Sequence, residues 1–196
     1  MAETIERKPM ADAVSTIAWA FVILHLDFNL GRLNIFGNWI GWWMIASAVK
    51  KLGEENPEFA LLESLAIGLA VWDGVCNAIW LLLGVTVNIY AVNIVVFVLM
   101  LYLRFQLLTN LAEMAEAHGC PQRRQLLVLR TVQTLLLTAM LPLPEFAEGS
   151  VGYYITVAVN LVVAAWILLL LFSLRRSLGW TPPPKEKTPE IPPVVR

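Results

Sequence analysis

Two sets of polar residues stand where the surrounding sequence is apolar. Asp73 lies in an apolar run one helical turn from Asn77, and Asn160 stands near the middle of another such run. An aspartate at the centre of a membrane helix costs roughly 2.5 to 3.5 kcal/mol on insertion scales, so it needs a proton, a partner or a ligand. Asp73 fits a proton or cation carrier, a ligand contact, or a structural partner of Asn77, Arg104, Arg130 or Asn160. The second set is His25, Asp27, Asn29, Arg32, Asn34 and Asn38, broken by Gly31 and Gly37. Arg32 among amides could hold a carboxylate or phosphate headgroup through paired hydrogen bonds. It could equally pair with Asp27 and lock a turn, and Asn and Gly are ordinary turn residues. These nine residues, Asp73, Asn77, Asn160 and the six of residues 25–38, are the candidate ligand-binding or transport positions.

Signatures of covalent or metal chemistry are scarce. The chain holds no HExxH, no paired CxxC, no nucleophile elbow and no phosphate loop. His25 and His118 fall on opposite sides of a membrane in the topology below, which disfavours a two-histidine metal site. His25 with Asp27 would need a further residue to make a metal site or a base with its orienting partner. No cofactor is implied. Trp39, Trp42 and Trp43 fit an aromatic belt at headgroup depth, and Gly37 and Gly41, four apart, suit close helix approach. Cys76 is mid-span and Cys120 lies in a polar turn, so no disulfide is expected.

The elements that must position these residues are membrane helices. The 196-residue chain is 58% apolar and only 15% charged, against about a quarter charged in soluble domains. Its mean hydropathy is +0.67. The net charge of -1 and the lack of a basic groove exclude a nucleic-acid footprint. Six spans are predicted, at residues 11–28, 35–50, 58–83, 89–110, 122–141 and 151–174, forming one all-α transmembrane domain of three hairpins over residues 11–176. The first span reads as a retained helix, not a cleaved leader, because no small-residue cleavage site follows it. Gly53 and Pro57 suit a helix end and the start of the next. The fourth helix is expected to continue past the membrane through Glu113 and Glu116, ending near Gly119. Residues 1–10 form a cytoplasmic N-terminus. Residues 177–196 form a flexible cytoplasmic tail, since six of the chain's eleven prolines fall after residue 180.

Charge orients the chain. With the N-terminus inside, Arg7, Lys8, Lys50, Lys51, Arg123, Arg124, Arg175 and Arg176 are all cytoplasmic and Arg32 alone is outside. The first two spans are near the lower length limit for a core of roughly 30 Å. A re-entrant or interfacial pair, leaving four spans, keeps the same parity and stays open.

The residues Asp27-Phe28-Asn29-Leu30-Gly31, Leu33-Asn34-Ile35, Asn38 and Gly41 resemble the opening stretch of a family of small multi-span membrane proteins of Gram-positive bacteria, of no known activity. The resemblance covers about a tenth of the chain and departs at Phe36-Gly37, where the family pattern has a proline. It implies a bacterial origin and a cell-membrane location.

Three functions follow as alternatives. The first is binding or transport of a small solute, ion or amphiphile through an interior built from Asp73, Asn77 and Asn160, with residues 25–38 as the entrance. The second is a non-transporting accessory or assembly subunit. The third is a membrane-embedded enzyme on a lipid or isoprenoid substrate, with His25, Asp27 and Arg32 at headgroup level. Expected partners are membrane lipids, a small solute or ion, and a second copy or a membrane partner protein.

Overall fold

The computed structural model describes residues 2–25, 29–30, 33–34, 37–54, 56–140 and 151–179. They form six helices: α1 (Ala2–His25), α2 (Asn38–Gly53), α3 (Ala60–Leu83), α4 (Tyr90–Ala117), α5 (Arg123–Met140) and α6 (Val151–Gly179). A two-residue antiparallel ladder, β1 (Asn29–Leu30) with β2 (Leu33–Asn34), separates α1 from α2, and a 3₁₀ turn at Pro57–Phe59 precedes α3. In its register Asn29 pairs with Asn34 and Leu30 with Leu33.

Three helical stretches are long and apolar enough to cross a membrane: Pro57–Leu83, Tyr90–Ala117 and Ala158–Gly179. The protein is a multi-pass helical membrane protein. The other three expected spans differ in kind. The apolar part of α1, Pro9–His25, is shorter, α2 has 16 residues, and α5 carries Arg123, Arg124, Gln125, Arg130 and Gln133.

Helix ends follow local chemistry. The Asn56 side chain accepts the Glu58 N–H at 3.0 Å, and Pro57, which lacks a donor, fills the first turn after it. Gly84 ends α3 at φ 67° and Gly119 follows α4 at φ 66°, a left-handed backbone that favours a residue without Cβ. α1 starts at Ala2, upstream of the expected residue 11, because Ala, Glu, Arg and Lys in residues 2–8 are good helix formers. α2 starts at Asn38, not residue 35, since Gly37 (φ -57°, ψ 145°) is its N-cap.

The short helices form the core. α1 is packed between α2 and α6, α2 also packs on α3, and α4 pairs with α5, while the α3–α4 and α5–α6 contacts are lighter. Ala13, Val14, Ile17, Ala18, Ala20 and Phe21 of α1 are fully buried. Small residues allow this. A Cβ on Gly41 would stand 2.6 Å from Leu24 Cγ and 3.2 Å from the Ala20 carbonyl oxygen, so α1 and α2 meet almost backbone to backbone. Trp19 meets Phe172 edge to face, centroids 6.0 Å apart, and joins α1 to α6. The three long apolar stretches are only 17%, 22% and 33% buried and supply the surface that lipid covers.

Candidate functional site

The site is set by how α2 lies against α3. Trp42 Nε1–H donates to Asp73 Oδ2 at 2.8 Å. One turn further along α3, a Cβ on Gly37 would collide with the Asn77 amide, and Trp39 packs on Gly74. The first turns of α2 therefore lie beside residues 73–77. From Asp73, α3 runs on for about 15 Å to Leu83 at about 1.5 Å per residue. The helical parts of α1 and α2 thus stop level with the middle of the longer helices.

Arg104 of α4 sits at the same level. Its guanidinium carbon lies 5.9 Å from the Phe21 ring centroid of α1 and 5.7 Å from the Trp42 ring of α2. It is about 21 Å along α4 from Tyr90. Arg104 is only 8% exposed, its Nε has no hydrogen-bond partner, and among the described residues no carboxylate lies within ion-pair distance. Cation–π contact is worth about 0.5 to 2 kcal/mol and fades beyond ~6 Å. Two rings near that limit offset only part of the roughly 2.5 to 3.5 kcal/mol that insertion scales assign to a central arginine. Among the described residues the cation is left short of an anionic partner.

His25 ends α1 beside these groups, within electrostatic range of Arg104. Its Nδ1–H donates to the Phe21 carbonyl at 2.8 Å, which leaves Nε2 as the outward nitrogen, and its ring stacks on Phe21 at 5.8 Å and 20°. Cys76 and Asn77 follow Asp73 on α3, both half-buried.

The structure brings His25, Asp73 and Asn77 together with Trp42 and Arg104. Asn160 is half-buried on α6, which packs mainly on α1 and more lightly on α5. Asn38 opens α2 and is exposed. Asn29 and Asn34 pair by their backbones. Asp27 and Arg32 lie outside the described residues. Arg130 does not serve Asp73: its Nη1 donates to Thr109 Oγ1 at 3.1 Å and its guanidinium stacks 4.4 Å from the Phe105 ring. Trp39 and Trp43 are exposed as belt residues should be, but Trp42 is 3% exposed and departs from that reading. Its position on the face of Ile45 and Val49 was a signal for burial, one hidden by the apolar character of the whole helix.

A different cluster occupies the far end of α4. Asn110, fully buried, accepts from Gln106 Nε2 at 2.8 Å and donates from Nδ2 to the Glu58 carbonyl at 3.0 Å, fastening α4 to the 3₁₀ turn. A cavity of about 360 Å³ opens beside it, lined by Met10, Leu52, Phe59, Met114 and the carboxylates Glu58 and Glu113. Gln122 ties the α4–α5 turn to α6 through Ser173 at 3.1 Å and Ser177 at 2.7 Å. Among the described residues no group of three or more His, Cys, Asp or Glu side chains is placed to hold a metal ion.

Comparison with protein-family models, curated proteins and solved structures finds no match.

Proposed function

We propose that the protein binds or moves a small solute, ion or amphiphile at the polar centre formed by His25, Trp42, Asp73, Asn77 and Arg104. The reading places this centre near the bilayer midplane of a six-span protein with both termini cytoplasmic. The observation that carries it is the level at which α1 ends and α2 begins, beside Asp73 and Arg104. Backbone that leaves helical geometry at membrane depth is tolerated where protein buries it or where it lines a water-filled cavity, and interrupted helices of this kind hold substrates in transporters.

The Trp42–Asp73 bond supports a rival, the accessory subunit, in which Asp73 only pins α2 to α3. The two readings differ in water access. Cys76 stands within electrostatic range of Asp73, whereas Val75 is 49% exposed on the outer surface of α3. In a Cys120→Ser background, a charged, membrane-impermeant methanethiosulfonate should modify Cys76 faster than a cysteine placed by Val75→Cys, which lipid should shield. Cys76 reacting no faster than that lipid-facing cysteine would overturn binding at a hydrated centre and leave the assembly role.

A further inference from the structure

We propose that the cavity between the 3₁₀ turn and the end of α4 binds a primary ammonium group carried on an apolar body, an alkyl or aralkyl amine, with the ammonium between Glu58 and Glu113. This is a second site. Glu113 stands about 13 Å beyond Arg104 along α4, and the proposal is independent of the polar centre around Asp73.

Local hydrogen bonds set the two acids side by side. Asn110 Nδ2 donates to the Glu58 carbonyl at 3.0 Å and Asn56 Oδ1 accepts the Glu58 N–H at 3.0 Å, so the Glu58 backbone is held from both sides. Glu113 follows Asn110 by one helical turn and shares its face of α4. The Glu58 and Glu113 carboxyl groups therefore meet in hydrogen-bond contact. Two carboxylates that close repel each other unless a proton or another cation stands between them. Arg123 lies within electrostatic range of Glu113, but its guanidinium is bonded to Glu116 at 2.8 Å, and Lys50 reaches Glu63 at 4.0 Å. Among the described residues neither Glu58 nor Glu113 is in an ion pair.

The cavity is the independent observation that turns an acidic pair into a site. It has a volume of about 360 Å³, within the ordinary range of small-molecule pockets. Met10, Leu52, Phe59 and Met114, none more than 6% exposed, give it an apolar floor, while Glu58 and Glu113 are exposed at its mouth. An apolar body fits below and a cation above. His118 Nδ1–H donates to the Met114 carbonyl at 2.9 Å, which leaves Nε2 of the neutral ring as a further acceptor. No Lys or Arg side chain lines the cavity, so an anion finds no counter-charge of that kind there. A primary ammonium brings one positive charge and three N–H donors to this ring of acceptors, and a quaternary ammonium brings the charge alone.

The full-length protein in non-ionic detergent is titrated calorimetrically with 2-phenylethylamine, 2-phenylethanol, phenethyltrimethylammonium, methylamine and calcium chloride. The first should bind roughly ten times more tightly than each of the others. A variant carrying both Glu58→Gln and Glu113→Gln should lose the preference for the amine over the alcohol, and Glu116→Gln should keep it. The double change leaves the bond from Asn110 intact, because that bond is to the Glu58 backbone. Should the double variant fail to fold, Ala117→Trp, placed at an exposed lining position, should block the mouth and weaken amine binding roughly tenfold. Equal affinity for amine and alcohol overturns the site, and so does either folded variant that binds the amine like the wild type. A loss with Glu116→Gln as large as with the double variant would mean a diffuse negative field and overturn the pocket. The quaternary analogue or methylamine matching 2-phenylethylamine overturns the hydrogen-bonded ammonium or the apolar body, respectively. Calcium binding more tightly than the amine overturns the ligand class.

Discussion

Asn110 and Arg104 stand on the same helix, less than two turns apart, and are treated in opposite ways. Asn110 is fully buried with its amide oxygen and nitrogen both engaged, to Gln106 and to the Glu58 carbonyl. Arg104 is nearly as buried and carries a full charge, yet its Nε is unpaired and its neighbours are two aromatic rings. Buried polar groups in native proteins are as a rule hydrogen-bonded, so the exceptions need a reason. A saturated amide explains itself as a fastener between α4 and the 3₁₀ turn. An unsaturated cation is a poor fastener and suits the binding role proposed for the polar centre.

Substitutions can break or sharpen this contrast. The largest loss is expected at Asn110, because Asn110→Ala removes the partner of both the Glu58 carbonyl and the Gln106 amide. About 3 kcal/mol should be lost, measured by denaturant unfolding in micelles. Gly41→Val comes next at about 2 kcal/mol, since the added atoms force α1 away from α2 at Leu24 and Ala20. Unfolding of this variant in the same micelles checks the value, and a neutral result would mean that the α1–α2 contact is looser than the 2.6 Å approach implies. Trp42→Phe keeps the ring over Arg104 but removes the indole donor from Asp73, and its unfolding midpoint should fall by an equivalent of about 1 kcal/mol. The smallest change is expected at Arg104. Replacing a poorly paired buried charge with an apolar side chain is often neutral or stabilising, so Arg104→Met should alter stability by no more than about 1 kcal/mol in either direction. A loss as large as that of Asn110→Ala would erase the contrast and make Arg104 structural.

Much of the frame is legible in the sequence, because it depends on local signals. Asn56 and Pro57 announce the start of the third helical stretch, Gly84 and Gly119 mark left-handed helix ends, and Asp73 and Asn77 share a face by spacing alone. The centre is less legible. Arg104 sits in a Leu-Tyr-Leu-Arg-Phe run that gives no hint of its neighbours, because Phe21 and Trp42 come from helices more than sixty residues away in the chain. Trp42 is indistinguishable from Trp39 and Trp43 by composition, and only tertiary packing turns it inward. The grouping of Asn160 with Asp73 rests on polarity in two apolar runs, and polarity alone does not say which helices meet. Length says little of packing in the same way: α1 and α2 look like marginal spans, yet small residues such as Ala13, Ala20 and Gly41 let them pack closely against each other.

The most direct test is a cryo-EM map of the full-length protein in lipid nanodiscs, read at Arg104. The account predicts density for water or a small solute within hydrogen-bond distance of the guanidinium. A guanidinium closed instead by the Asp27 carboxylate, with no room beside it, would contradict the account.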